Sequence, residues 1–207
     1  QLGEMKTKPT QYAVRTLNSA GIQPDFILGR APQPLDQPRK ERLSINCNMR
    51  PADIISAPDV KNIYEIPLNF AKEKLAEKIL EKFGLRARTS DLTAWRRLVR
   101  LAGDQSKPVL KIGLVGKYFS TGKFTLADSY ISVIESIKHA AWANNARIEL
   151  EWINSEHFED RSKKLTALNA FDGVLVPGGF GTRGIEGVIS TVKFCREKKI
   201  PYFGLCY

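Results

Sequence analysis

Cysteine is scarce in this chain of 207 residues: Cys47, Cys195 and Cys206 are all there is. An odd number at these spacings fits neither a disulfide framework nor a zinc site and predicts a reducing compartment, the cytoplasm. Long apolar runs are also missing, and none approaches the ~20 residues that a membrane-spanning helix needs. The opening stretch QLGEMKTKPTQ lacks the apolar centre and small-residue cleavage site of a signal peptide, and it lacks an initiator methionine. Histidine is limited to His139, in an amphipathic stretch, and His157, in a polar one, so neither has the company a catalytic base needs. Acidic residues are outnumbered 22 to 32 by Lys and Arg, leaving a net charge of +10, with a surplus of +7 in residues 1–100 and +3 in the rest. Those cations are scattered among helical positions rather than gathered in a stripe with stacking aromatics, which argues against a nucleic-acid partner. Internal repeats and low-complexity tracts are absent too.

What is present is an alternation of short apolar runs with amphipathic stretches. A helix over 11–20 stopped by Gly21, a buried strand DFILGR (25–30), a helix in RKERLSIN, and apolar stretches split by Pro58 make up the first third. One long helix follows in PLNFAKEKLAEKILEKFGL, with Phe70, Leu75, Ile79 and Phe83 on a single stripe that should cover a sheet. Residues 88–107 are polar and basic around one amphipathic helix, SDLTAWRRLVRLAG, which reads as an interdomain linker. The second half alternates more cleanly: strands at 109–116, 147–153, 171–177 and 200–206, and helices at 126–144 and 184–199. Apolar strands separated by helices predict parallel sheets covered on both faces, hence an α/β chain containing parts of two parallel-sheet domains, 1–87 and 108–207.

Chemistry in such sheets gathers beyond the carboxyl ends of the strands. Two candidates lie there: the turn PGGFGTRG, with Gly178, Gly179 and Gly181, and the tip GLCY, with Cys206 after Gly204. Glycines let a main-chain N–H approach a ligand closely, and a cysteine on a tight turn after a strand is the arrangement that exposes a nucleophile. Each has a plainer reading, a tight turn or phosphate cradle for the first and a small buried residue for the second. Cys47 and Cys195 have no such neighbours and read as structural. Near the start, Lys6 and Lys8 flank Thr7 with Thr10 and Gln11 close behind, so two ammonium groups and several donors face one way at a helix start, suited to a polyphosphate or else a solvated basic turn.

These segments, in this order, resemble CTP synthase. GEMKTKPTQYAVRTLNSAGIQPDFILGR and INCNMRPADIISAPDVKNIYEIP look like the late part of its amidoligase domain, which is Rossmann-like. IGLVGKY, DSYISVIESIKHA, DGVLVPGGFGTRGIEG and PYFGLC look like the first half of its class I glutamine amidotransferase domain. The resemblance implies a ligase that phosphorylates the O4 of UTP with ATP and Mg2+, hydrolyses glutamine at a second site, and passes the ammonia across to give CTP. It implies Cys206 as the nucleophile, with the N–H groups of Gly179 and Tyr207 receiving the oxyanion, such donors being worth ~3 kcal/mol each. Lys6, Thr7, Lys8, Thr10, Gln11 and Arg42 would line the site for UTP and for inhibitory CTP, with Arg42 where the family usually has lysine. Asp59 and Val60 would border the ATP adenine. The family's phosphate loop and magnesium carboxylates should precede Gln1, and the histidine and glutamate that complete the cysteine triad should follow Tyr207. The chain is therefore expected to be an inactive internal piece of a homotetrameric enzyme that GTP activates. Two alternatives are the amidotransferase half of another biosynthetic ligase, with no need for Lys6 or Lys8, and a non-catalytic basic module for RNA or a partner.

Overall fold

The computed structural model describes residues 5–86, 90–117, 120–121, 124–125, 130–159 and 165–206. It divides into two compact units, residues 1–103 and 104–207. Among the described residues no helix is long and apolar enough to cross a membrane.

In the first unit, α1 (Lys8–Ser19) leads into β1 (Ile27–Ala31), and α2 (Gln37–Cys47) into β2 (Ile54–Pro58). The two strands pair in parallel, Ile27 opposite Ile54 and Ala31 opposite Pro58, so the proline closes the ladder instead of interrupting it. Val14 of α1, Leu43 and Cys47 of α2, and Ile27 and Ile54 of the strands form one buried cluster. α1 starts at Lys8, three residues before the position predicted from sequence, because Pro9 suits the first turn, where its missing N–H has no partner to lose. α2 starts on the Asp36 carboxylate, which accepts the Arg39 N–H at 3.0 Å.

The long helix expected after Pro67 is two helices, α3 (Ile66–Lys72) and α4 (Leu75–Lys82), broken at Lys74, whose φ of 54° is left-handed. Glu73 is held there by the Lys40 ammonium at 2.9 Å, and the break turns Leu75 into the interior. The predicted stripe is not a covered face: Phe83 is 74% exposed, and Ile79 is also exposed. Next, α5 (Thr93–Gly103) starts where Asp91 accepts the Thr93 N–H at 2.8 Å. Its Trp95 indole donates to the Tyr64 carbonyl at 2.7 Å, so this helix packs on the short turn of 3-10 helix at Ile63–Glu65.

The second unit is built on β3 (Val109–Gly116), β6 (Arg147–Asn154), β7 (Gly173–Val176) and β8 (Tyr202–Gly204), all parallel in the order β6-β3-β7-β8. A two-residue hairpin, β4 (Ser120–Thr121) with β5 (Phe124–Thr125), lies apart from that sheet. Successive residues of a strand face opposite ways, and here each face has its own core. Val115, Val174 and Val176 pack with Phe158, Leu168 and Cys195, the last of these on α7 (Ile185–Lys198). Leu114 and Leu175 pack with Tyr130 and Ile134, on the side of α6 (Ile131–Ala143). Leu114 and Val115 are fully buried, each contributing about 1.5–3 kcal/mol of apolar transfer.

Register between β3 and β7 is locked at the amino end of β7 by Asp172. Its N–H donates to the Lys111 carbonyl and its carboxylate accepts the Lys111 N–H, both at 2.8 Å. Beyond β6, Ser155–Phe158 turn as 3-10 helix beneath the start of α7. A Cβ at Gly187 would lie 1.8 Å from the Ser155 carbonyl oxygen, so only glycine allows this approach.

Candidate active site

Pairing of Val176 with Gly204, extended by the Leu205 N–H donated to the Val176 carbonyl at 2.9 Å, brings the ends of β7 and β8 side by side. Cys206 is the first residue past that ladder. Its φ is 63°, a left-handed conformation that a residue with a side chain adopts at a cost of roughly 1–2 kcal/mol, and it is exposed. The turn throws the side chain out of the strand's alternation and against the glycine loop. A Cβ built on Gly178 would stand 2.6 Å from the Cys206 Cβ and 3.2 Å from its Sγ, so the thiol rests on the bare Cα of Gly178, one residue from Gly179. The other two thiols are unlike it. Cys47 and Cys195 are buried, and burial pushes both up from the ordinary thiol range, leaving them neutral and unreactive.

The glycine loop is held from behind. Lys117, the residue after β3, is almost completely buried and donates from Nζ to the carbonyls of Gly179 at 3.2 Å and Gly181 at 2.9 Å. The Tyr130 hydroxyl reaches the Gly178 carbonyl at 3.5 Å. Past the loop, Gly184 has a φ of 73° and donates its N–H to the Glu159 carboxylate at 2.8 Å. Arg183 makes a two-pronged ion pair with Glu156, which holds that carboxyl below the usual carboxylate range. Tyr207, expected to supply the second oxyanion N–H, lies outside the described residues. His139 sits on α6 with its ring 5.1 Å from that of Trp142, and His157 lies in the 3-10 turn after β6.

In the first unit the groups singled out near the chain start and after β2 lie around the carboxyl end of the parallel pair, since α1 precedes β1 and runs back along it. The Arg39 guanidinium ties the segment before α1 to α2, donating to the Met5 carbonyl at 3.1 Å. Lys6 and Lys8 are exposed, as is Arg42 on α2. Thr7 and Gln11 turn inward instead and bond to each other, the Gln11 amide donating to the Thr7 hydroxyl at 3.1 Å, while Thr10 is half-buried. Asp59 and Val60 line a cavity of about 490 Å³ together with Leu28, Ile63, Ile66 and Phe70. Arg30 closes one side of it through a 2.9 Å ion pair with Asp59.

Comparison with known proteins agrees with both halves. The CTP synthase N-terminus family matches residues 1–85, and the class-I glutamine amidotransferase family matches residues 125–207. CTP synthases of Symbiobacterium thermophilum, Nostoc punctiforme and Bdellovibrio bacteriovorus are 45%, 44% and 42% identical to this chain, each alignment covering 99% of it. The two halves of the chain are thus similar to successive parts of CTP synthases. The chain spans 37%, 36% and 37% of the lengths of those three CTP synthases. Among solved structures, the Trypanosoma brucei CTPS glutaminase domain with bound acivicin is 35% identical, over 46% of this chain and 35% of that one, with a TM-score of 0.41.

Sequence reasoning missed three side chains at the two sites: Lys117, Tyr130 and Arg30. Lys117 follows a strand of the pattern "apolar run, glycine, cation", which many strands share, and only the adjacency of β3 and β7 shows what it reaches. Tyr130 opens an amphipathic helix and reads as core. Arg30 sits at the end of an apolar strand, where a charge is ordinary. Among the described residues no cluster of three or more His, Cys, Asp or Glu side chains is placed to hold a metal.

Proposed function

We propose that this chain is the central part of a cytoplasmic CTP synthase: the end of the amidoligase domain (1–87), a linker (88–107) and the first half of a glutaminase domain (108–207). The parent enzyme is a homotetramer that makes CTP from UTP, ATP and glutamine, is inhibited by CTP and is activated by GTP. The observation that carries this reading is Cys206 in a left-handed conformation with its side chain against Gly178. That strained turn presents a sulfur beside a loop whose main chain has no Cβ to shield it.

The Cys206 thiolate attacks the carboxamide carbon of glutamine. A C–S bond forms and the carbonyl electrons move onto oxygen. The Gly179 N–H, with that of Tyr207, receives this negative charge, and aimed donors of that kind act where charge develops. Collapse of the adduct breaks the C–N bond and releases ammonia, which departs with a proton, leaving a glutamyl thioester. Water then cleaves the C–S bond, giving glutamate and restoring the thiol. The family pattern implies a histidine as the base that handles the thiol proton. In the other unit, Lys6, Lys8 and Arg42 supply exposed positive charge for the triphosphate of UTP or CTP. Thr10 adds a donor at the start of α1, and the Thr7–Gln11 bond fixes the turn that presents the lysines. The cavity at Asp59 and Val60 suits a flat base, having apolar walls and the Arg30–Asp59 pair at one side. ATP bound there would transfer its γ-phosphoryl group to the O4 of UTP and leave as ADP, and Mg2+ would supply charge neutralisation for the phosphates.

The test is CTP formation by the full-length enzyme carrying Cys206→Ala. Glutamine-dependent synthesis falls by more than ~10³-fold, as when a nucleophile is removed, while synthesis from ammonia persists. Undiminished glutamine-dependent synthesis would remove the assignment of Cys206 and with it the glutaminase reading.

A further inference from the structure

Lys117 is a buried cation that donates to two main-chain carbonyls and, among the described residues, forms no ion pair with a carboxylate. Withdrawing an ammonium from water is costly, and it is tolerated where the protons find acceptors. Both acceptors lie in the loop beside Cys206. We propose that Lys117 is a positioning residue of glutamine hydrolysis: by tethering the Gly179 and Gly181 carbonyls it holds the glycine loop beside the Cys206 thiol in one conformation. This rests on the glutaminase reading given above.

The peptide bonds of this chain are all trans among the described residues, so each N–H points opposite to the carbonyl of the same peptide unit. Drawing the Gly179 carbonyl to Lys117 turns the Phe180 N–H to the far side, and drawing the Gly181 carbonyl there does the same for the Thr182 N–H. The Gly179 N–H belongs to the preceding peptide unit, so Lys117 limits it only by tethering the loop on its carboxyl side. Behind that N–H, the Gly178 carbonyl faces the Tyr130 hydroxyl. Glycines supply no side-chain packing to hold this set of directions, and a loop of Gly178, Gly179 and Gly181 has more backbone freedom than any other residues would give it. A cation with two acceptors, on the strand next door in the sheet, removes that freedom before glutamine arrives. It also polarises the peptides it binds, which makes their N–H groups better donors, by about 10–30% per bond. Donors fixed in advance stabilise the charge of the transition state more than the neutral amide of bound glutamine.

The experiment uses the full-length enzyme with Lys117→Met and Lys117→Arg, alongside Cys206→Ala. For Lys117→Met, kcat of glutamine hydrolysis falls on the order of 10²-fold, the size expected for loss of oxyanion donors, with the KM for glutamine within about threefold. Synthesis of CTP from ammonia is retained. The rate at which iodoacetamide alkylates Cys206 is also retained, because that displacement at a saturated carbon builds no oxyanion. Lys117→Arg, which keeps the charge and the donors, recovers at least a tenth of the lost kcat. A kcat within twofold of wild type for Lys117→Met overturns the proposal. So does a Lys117→Met enzyme, or a Lys117→Arg enzyme should the first not fold, that loses ammonia-dependent synthesis and alkylation together with hydrolysis, since Lys117 is then a general support of the fold. If Cys206→Ala keeps its glutamine-dependent activity, the glutaminase reading itself fails, whichever result Lys117 gives.

Discussion

The two units solve the same problem, presenting groups beyond the carboxyl ends of parallel strands, with different materials. In the first, the candidate ligand contacts are the ends of long, exposed side chains, Lys6, Lys8 and Arg42, on a main chain braced by Arg39 and by the Thr7–Gln11 bond. In the second, side chains are largely removed from the candidate site, and the main chain of a glycine loop meets one strained cysteine, with a buried lysine holding the loop from behind. The contrast fits the chemistry proposed for each. A polyphosphate already carries its charge and is met by cations that reach out to it, whereas an oxyanion exists only during reaction and must be met by dipoles fixed in place.

Substitutions can break that contrast or sharpen it. Short of removing Cys206 itself, the largest effect here is expected from Gly178→Ala, since the new methyl would sit 2.6 Å from the Cys206 Cβ and must push the proposed nucleophile aside. A displacement of about 1 Å at a reacting atom costs on the order of 10²-fold, so glutamine-dependent CTP formation by the full-length enzyme should drop that far while ammonia-dependent formation stays. Retained glutamine-dependent activity would show that the main chain there is more forgiving than its geometry implies. Smaller losses are expected from Lys6→Ala and Lys8→Ala, roughly tenfold each in UTP affinity by equilibrium binding, because each removes one charge-assisted contact and leaves the frame standing. No loss would favour the amidotransferase half of a different ligase.

The smallest effect is a matter of pH. The Arg183 pair holds Glu156 below the ordinary carboxylate range, so its contribution to stability is complete above that range and disappears as pH falls through the depressed value. Comparing urea midpoints of wild type and Glu156→Gln should therefore show a difference near neutrality that closes in acid. The pair is solvent-exposed, so the difference is slight, and a gap that widened in acid would contradict the sign.

How far the sequence revealed all this depended on what kind of force set each feature. The strand at 109–116 was legible residue for residue, because a buried parallel strand is an apolar run bounded by a proline and a glycine. Helix α7 was legible from its glycine start and basic end. The break at Lys74 was not, since Glu73, Lys74 and Leu75 are good helix formers and the turn between α3 and α4 is set by an ion pair to α2 and by burial of Leu75. The same holds at the candidate sites. Cys206 and the glycines announce themselves through spacing, because a turn demands particular residues. Lys117 is one cation among 32 Lys and Arg, and its partners are carbonyls that every residue has, so only strand order reveals it. That Thr7 and Gln11 face inward was likewise invisible, as four residues apart on a helix fixes that they meet but not which way the pair faces.

The Asp172 clasp gives the second unit an unusual sensitivity to events at its far rim. Because Lys117 and the glycine loop end two neighbouring strands, their alignment is inherited from wherever those strands are pinned, and the clasp pins them at the opposite edge of the sheet. A substitution at that end of the strands, remote from any ligand, is expected to shift the loop and the lysine together and so to slow the proposed hydrolysis as well as to loosen the sheet.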